Sequence, residues 1–422
     1  MSKSNIISGI EVGSSKIATL VAQVQNDETG IQDINVVGVS SVESRGIKKG
    51  QIVDIEEAVE AIVESVEAAE RMAGYNLAES YISIGGASIA SQNSHGVVAV
   101  SNPNDEIVSD DVDRVIEAAS AISLPTSREL IHVLPREFLV DGDIGVKDPI
   151  GMSGIRLEVE THLITASSAS IKNLKKAVNE VGINPIELVY SGLAASYAVL
   201  TKTEKELGCI LIDIGGGTTS IAIYIDGAIA YSAVLPVGAK NVSNDIAIGL
   251  QVSLETAEKI KLSLSDAEKK LKKKVDEEDQ LDLSSVSLSD SKKVSKKILI
   301  DGIIKPRLNE IFSMVKIQLE REGLMKNVPS GAILTGGGAE TVNIEEIAKR
   351  SLGLPVRIGT PRGLGGLVDD VINPDFATVA GLIIYGASKN VNQPLTYFSK
   401  KIKLPSTTIF NKLLGTIKDL LP

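Results

Sequence analysis

Apolar positions recur along this chain at two periods, and each period predicts its own kind of element. Ile55, Val59, Ile62, Val63, Val66 and Ala69 fall near a 3.6-residue repeat, which predicts an amphipathic helix over 55–74 that Gly74 ends. The same reasoning predicts helices over 109–122, over 168–182 with Gly182 and Pro185 closing it, and from Leu193 to about Thr203. Further helices are expected from Asn241 onward, over 298–323 with Gly323 after it, and over 372–387. Shorter runs read as strand, turn, strand over 5–24, another strand within 35–54, and glycine-broken strand over 80–100. Residues 211–227, "LIDIGGGTTSIAIYIDG", predict a hairpin around a glycine turn, and 330–340, "SGAILTGGGAE", a strand running into another. Between about 84 and 165, short strands, one helix and the turn clusters "SNPND" and "VDGDIGVKDPIG" read as an inserted α+β subdomain. Residues 265–297 are charged and serine-rich, and read as a solvated loop or flexible hairpin.

Composition narrows this picture. The 422 residues suit two to four domains. Aromatics are 3% and tryptophan is absent, so the core must be Ile, Val, Leu and Ala, which suits helices packed on sheets. A net charge of -11 argues against a nucleic-acid partner, which needs a positive footprint. The single cysteine, Cys209, excludes a disulfide framework or thiolate cluster and suggests a reducing compartment. His95, His132 and His162 lack metal-ligand spacing. The start of the chain has no hydrophobic core of a signal peptide, and no run of about 18 apolar residues offers a membrane span.

Candidate chemistry lies in the glycine turns. A shift of 202 residues lays "IEVGSSK" (10–16) on "IDIGGGT" (212–218), each an acid at a strand end before a turn of small residues. Two related halves are therefore expected. Glycines let a backbone approach phosphates and present N–H donors, so Gly13, Gly215, Gly216 and Gly217 are candidate phosphate contacts. Ser14, Ser15, Thr218 and Thr219 add hydroxyls, and Lys16 and Gly238 complete this set. Glu11 and Asp213 are candidate magnesium residues, since magnesium keeps most of its waters and needs one or two carboxylates. The bare backbone of Gly336, Gly337 and Gly338 suits a flat adenine ring. Glu258 and Lys261 stand three apart on an expected helix, where they read either as a ribose-binding pair or as an ordinary surface ion pair. Neither GxxxxGK[ST] nor a GxGxxG that opens a helix after the first strand is present.

"GIEVGSSKI", "SGLAASYAVL", "DIGGGTTSIAIY", "PVGAKNVSNDIAIGL", "AEKIK", "LTGGGA" and "VRIGTP" together resemble the actin, heat-shock chaperone and sugar kinase superfamily of ATPases. More narrowly they resemble FtsA, the actin-like family of bacterial cell division, over most of 1–390. The resemblance implies an α/β, duplicated actin-like ATPase fold of four subdomains around a central nucleotide cleft. It implies subdomain 1A over 1–83 and 166–192, an inserted 1C over 84–165, 2A over 193–240 and 326–387, and 2B over 241–325. ATP and Mg2+ are the implied cofactors. The implied partners are the C-terminal peptide of the tubulin-like FtsZ, further copies of this chain, later division proteins and an anionic membrane surface on the cytoplasmic side. Lys305 and Arg307 are candidates for meeting the acidic peptide, and solvated helix charges are the alternative for either one.

Three departures bear on mechanism. Glu11 stands where the family usually has Asp, Ala239 where it often has a second Gly, and Ser191 where hydrolysing relatives place a Glu or Gln. A serine is a poor base for activating water, so Mg-ATP binding with slow hydrolysis is expected. The last stretch, 406–422, puts Ile409, Phe410, Leu413, Leu414, Ile417, Leu420 and Leu421 on one helical face after a lysine-bearing linker over 388–405. That is the pattern of an interfacial membrane helix, and FtsA proteins end in one. A chaperone-type ATPase, a small-molecule kinase and an actin-like pilus or secretion component are the competing readings. No peptide-clamping domain or catalytic carboxylate supports the first two, and the terminal helix argues against the third.

Overall fold

The computed structural model describes residues 5–26, 32–102, 106–271, 280–282, 293–367, 369 and 371–391. The first half carries β1 (Asn5–Val12), β2 (Lys16–Asn26), β3 (Gln32–Glu43), a small ladder of β4 (Ile47–Lys48) and β5 (Gln51–Ile52), α1 (Ile55–Ala73) and β6 (Glu79–Ile84). An insertion follows, of β7 (Ala90–Ala99), α2 (Ser109–Ser120), β8 (Arg128–Val140), β9 (Asp143–Val146) and β10 (Arg156–Ser167). Next come α3 (Ser168–Glu180), β11 (Asn184–Tyr190), α4 (Ser191–Val199) and α5 (Lys202–Leu207). The second half has β12 (Cys209–Ile214), β13 (Thr219–Ile225), β14 (Ala228–Leu235), α6 (Ala239–Leu250), α7 (Leu254–Leu271), β15 (Gln280–Asp282) and β16 (Lys293–Ser295). It continues with α8 (Lys296–Leu299), α9 (Lys305–Arg321), β17 (Ala332–Thr335), α10 (Ile344–Leu352), β18 (Val356–Ile358), β19 (Gly365–Gly366) and α11 (Ala377–Val391).

The duplication seen in the sequence is written in the sheets. One sheet has the order β11-β6-β1-β2-β3-β19 and the other β14-β13-β12-β17-β18. In each, a meander of three antiparallel strands continues into two parallel ones through the first strand of the half. Registers correspond as well. Glu11 faces Ala18 one pair before the turn of β1–β2, and Asp213 faces Ser220 one pair before the turn of β12–β13. The two acids therefore occupy equivalent strand ends. β19 crosses back from the second half to pair in parallel with β3.

Aliphatic burial follows the expected composition. Ile10, Ile17, Leu20, Ile62 and Ile82 are buried in the first half, and Ile210, Ile212, Ile223, Phe312 and Leu334 in the second. Between the halves α4 and α11 touch backbone to backbone. A side chain on Gly381 would fall 1.8 Å from the Ala194 carbonyl oxygen. The insertion forms its own sheet, β7-β10-β8-β9, and docks on the edge strand β14. There the Ser91 hydroxyl donates to the Ser232 carbonyl at 2.7 Å and accepts from the Ser232 N–H at 3.1 Å. Buried His162 lies between Asn93 Oδ1 (2.7 Å) and Ser232 Oγ (3.0 Å).

Element ends follow their local chemistry. Asp54 caps α1 by accepting from the Glu57 N–H, and Gly74 closes it with φ 72°. Four expectations need correction. The helix from Leu193 breaks after Val199, because Thr201 and Glu204 form a capping box that starts α5. Helix α7 runs on to Leu271, into the start of the stretch read as loop or hairpin, while β15 and β16 within that stretch pair antiparallel, as its hairpin reading expects. The helix expected over 298–323 contains a π turn, Ile300–Ile304, just before Pro306, whose missing N–H removes one ladder bond. Finally, α11 runs to Val391, into the stretch read as linker. The rest of that linker and the membrane-face residues of 406–422 lie outside the described residues.

Candidate functional site

The two hairpin turns meet at a cleft between the halves. In the first, the Gly13 N–H donates to the Lys16 carbonyl at 3.1 Å, and in the second the Gly215 N–H donates to the Thr218 carbonyl at 2.8 Å. The turns face each other closely. A side-chain carbon on Gly216 would lie 2.7 Å from Ser15 Cβ, and one on Gly217 would lie 3.0 Å from Ser14 Cβ. The third turn leans on the end of β12. Gly336 has φ 80°, and a Cβ there would come within 2.3 Å of Asp213 Oδ1. These turns and α7 enclose a cavity of about 250 Å³.

Most of the residues expected at a nucleotide site line this cavity. Glu11, Gly13, Ser14, Ser15, Lys16, Asp213, Gly215, Gly216, Thr218, Glu258, Lys261, Gly336, Gly337 and Gly338 are all on its wall. Three are not. The fully buried Thr219 donates its hydroxyl to the Val237 carbonyl at 2.8 Å, so it holds the hairpin together instead of facing the cavity. Gly217 packs on Ser14. Gly238 lies behind the second turn, where a Cβ would sit 2.5 Å from the Gly215 carbonyl oxygen.

The acid end of the cavity is short of positive charge. Burial raises the Glu11 carboxyl to about 8 against the opposing pull of Lys16, with Asp213 and Asp375 adding to the rise. Burial also raises Asp213 to about 6, opposed by a hydrogen bond from Thr378 and by Lys16. Lys16 pairs with Asp375 at 2.7 Å and lies 3.7 Å from the Phe376 ring centroid. Among the described residues, Glu11 Oε2 and Asp375 Oδ1 are buried with no hydrogen-bond partner. Among the described residues, no three metal-ligating side chains form a cage by themselves. Two orphaned carboxylate oxygens beside an acid-rich strand end nevertheless fit a cation that keeps its own waters.

At the other end, Glu258 and Lys261 are the pair expected on one helix face. Lys261 Nζ lies 2.8 Å from Glu258 Oε1 and donates to Ser243 Oγ at 3.1 Å. Burial works against the charge on Glu258, yet Lys261 and Ser243 hold its carboxyl below the ordinary range. Sequence reasoning missed Lys240, Asp375 and Thr378, all on the cavity wall. Lys240 belongs to the quoted "PVGAK", but Asp375 and Thr378 come from the start of the closing helix, and only the crossing of the chain brings them here. Ser191 also lines the cavity, at the first residue of α4, with its hydroxyl 3.0 Å from Ser220 Oγ.

Lys305 and Arg307 lie away from the cavity, on α9. Arg307 makes a two-pronged pair with Asp245 of α6, at 2.6 and 2.8 Å, and also meets Glu310. Lys305 pairs with Asp301 at 3.3 Å. Arg307 thus ties α6 to α9, and its charge is already engaged.

Comparison with known proteins agrees with this arrangement. Residues 210–381 match the family model described as cell division protein FtsA, and residues 86–165 match that of an SHS2 domain inserted in FTSA. The chain is 40% identical over 415 residues to cell division protein FtsA of Borreliella burgdorferi, covering 97% of this chain and 98% of that one. It is 37% identical over 384 residues to the Pseudomonas aeruginosa protein of the same name, covering 91% and 90%. The corresponding values for Escherichia coli K12 are 33% over 394 residues, 92% and 91%. Among solved structures, the PilM–PilN type IV pilus biogenesis complex is similar with a TM-score of 0.64 at 16% identity, covering 90% of this chain and 98% of that one. MreB5 of Spiroplasma citri bound to ADP follows with 0.51 at 15%, covering 92% and 99%. At such identities these likenesses show the fold, which is that of the actin-like ATPases.

Proposed function

Because this chain belongs to the FtsA family of cell-division proteins, we propose that it binds Mg-ATP in its central cleft, assembles with itself, and tethers FtsZ filaments to the cytoplasmic face of the membrane. The observation that carries the nucleotide part is the pair of facing glycine hairpins with Glu11 and Asp213 at equivalent strand ends. Gly13, Gly215 and Gly216 leave the backbone open to phosphate oxygens, and Ser14, Ser15, Lys16 and Thr218 add donors around them. Glu258 and Lys261 hold the ribose, and the 336–338 turn lies against the adenine. Glu11 and Asp213 would hold magnesium through its waters, with Asp375 beside them, and the ion would neutralise phosphate charge.

Hydrolysis is slow in this reading. Ser191 begins α4 at the cavity wall with its hydroxyl turned to Ser220, and a serine hydroxyl does not activate water as a carboxylate does. ATP then acts by holding the two halves together and favouring assembly. The apolar face of 406–422, from Ile409 to Leu421, inserts reversibly at an anionic leaflet, and Lys400, Lys401 and Lys403 before it add attraction of about 1 kcal/mol each. Assembly multiplies this weak anchor by avidity. The FtsZ peptide is captured on 241–325, where its acids would have to share or displace Asp245 and Asp301 to reach Arg307 and Lys305. Charge reversal at both positions should weaken peptide binding, and unchanged affinity rejects this placement.

Co-sedimentation with phosphatidylglycerol vesicles tests the whole reading. The full chain should sediment more strongly with Mg-ATP than without it, and a chain ending at Pro405 should not sediment. Nucleotide binding with no lipid partition overturns the tether.

A further inference from the structure

One residue, Lys240, touches both hairpin turns. Its backbone N–H donates to the Gly216 carbonyl at 2.8 Å, beside an equivalent bond from the Ala239 N–H to Gly215 at 2.9 Å. These two bonds fasten the first turn of α6 to the phosphate-facing turn of its own half. Its side chain leaves in the other direction and donates from Nζ to the Ser14 carbonyl at 2.9 Å, in the turn of the opposite half. Lys240 is thus a cation anchored on one jaw of the cleft, with its charge resting on the other jaw. It lies on the cavity wall, near enough to Glu258 to help lower that carboxyl.

The acceptor it rests on is neutral. An ammonium has three donors, and toward an anionic oxygen it gains a charge–charge attraction that a neutral carbonyl cannot offer. A phosphate between the turns, which is where the proposed nucleotide would place it, therefore outcompetes the Ser14 carbonyl for Lys240. We infer that Lys240 is a phosphate-binding residue, the second half's cationic counterpart of Lys16, and that it exchanges its bond across the cleft for one to a nucleoside di- or triphosphate. The exchange keeps both jaws linked through the ligand, so phosphate occupancy and this one bond across the cleft depend on the same side chain. This rests on the nucleotide reading given above.

The test is titration of the full chain with ATP, ADP and adenosine, comparing Lys240→Met and Lys240→Arg with the unchanged protein. Methionine keeps the stem and the backbone bond to Gly216 but removes the charge. Lys240→Met should weaken ATP and ADP about tenfold or more while leaving adenosine within twofold. Lys240→Arg should recover most of the loss, and the salt dependence of ATP binding should flatten in the methionine variant. Equal weakening of all three ligands would make Lys240 a support for the turn only and would overturn the inference. So would no change in any of them, with the nucleotide reading left standing. Failure of the unchanged chain to bind ATP sinks both.

Discussion

Alanine at position 238 should separate the shape of the phosphate turn from its chemistry. Gly238 has an extended backbone, φ -159° and ψ -166°, so the objection to alanine is the volume of its methyl group and not the backbone angle. That methyl would lie 2.5 Å from the Gly215 carbonyl oxygen, 2.7 Å from that of Gly216 and 2.8 Å from the Thr218 nitrogen. Contacts below 3.0 Å are ones that Cβ atoms essentially never make, so α6 and the turn must part by about half an ångström. Parting stretches the two bonds that fasten them, Ala239 to Gly215 and Lys240 to Gly216. At about 1 kcal/mol each, the loss is about 2 kcal/mol, or about thirtyfold in affinity if it falls wholly on the ligand-bound state. Calorimetric titration with Mg-ATP measures it. The neighbouring Ala239→Gly is the control, because the existing methyl there is already accommodated, and it should stay within about twofold. A Gly238→Ala protein that binds ATP as tightly as the unchanged chain would refute the claim that α6 holds the turn in shape.

Three further outcomes follow from buried contacts. Glu204 is lowered to about 2: burial opposes its charge, but Arg357 and Thr201 overcome that, so its contribution is present above about 4.5 and is lost as pH falls toward 2. Glu204→Gln should therefore cost on the order of 2–3 kcal/mol at pH 7 and converge on the unchanged protein near pH 2, as read by denaturant melts across pH. His162 is pushed down to about 3, chiefly by burial and then by Arg136. Because the folded state holds it neutral, stability should decline as pH drops below about 6.5, and a His162→Asn protein should show a flatter profile in thermal melts from pH 7.5 to 5. Gly381→Ala drives a methyl to 1.8 Å from the Ala194 carbonyl oxygen, and should cost more than about 4 kcal/mol, seen as loss of soluble protein; normal yield and melting would show that α4 and α11 can separate.

The strand ends of the two halves were legible in the chain because duplication left the same local grammar twice: an acid, an apolar residue, and a turn of small residues. Local grammar also marked where α1 and α3 lie, since a buried stripe must repeat every 3.6 residues whatever it packs on. What local pattern cannot carry is direction. Thr219 and Thr218 are adjacent hydroxyls in one motif, yet Thr219, which opens β13, donates to the Val237 carbonyl, while Thr218, still in the turn, lines the cavity. Arg307 read as a free charge on a helix, and only the packing of α9 on α6 reveals Asp245 as its partner.

The sequence by itself determined the twofold plan, the aliphatic core and the residue types of the glycine turns, because each depends on neighbours within a few positions. Tertiary structure alone decided that Asp375, more than 350 residues from Lys16, is its partner, and that Lys240 reaches Ser14 in the other half. Those pairings exist only because β19 and α11 cross back to the first half and because two sheets built alike turn their hairpins toward one cleft. The charge balance of the site is therefore a property of the closed chain, set by which distant segments the fold brings within reach of a hydrogen bond.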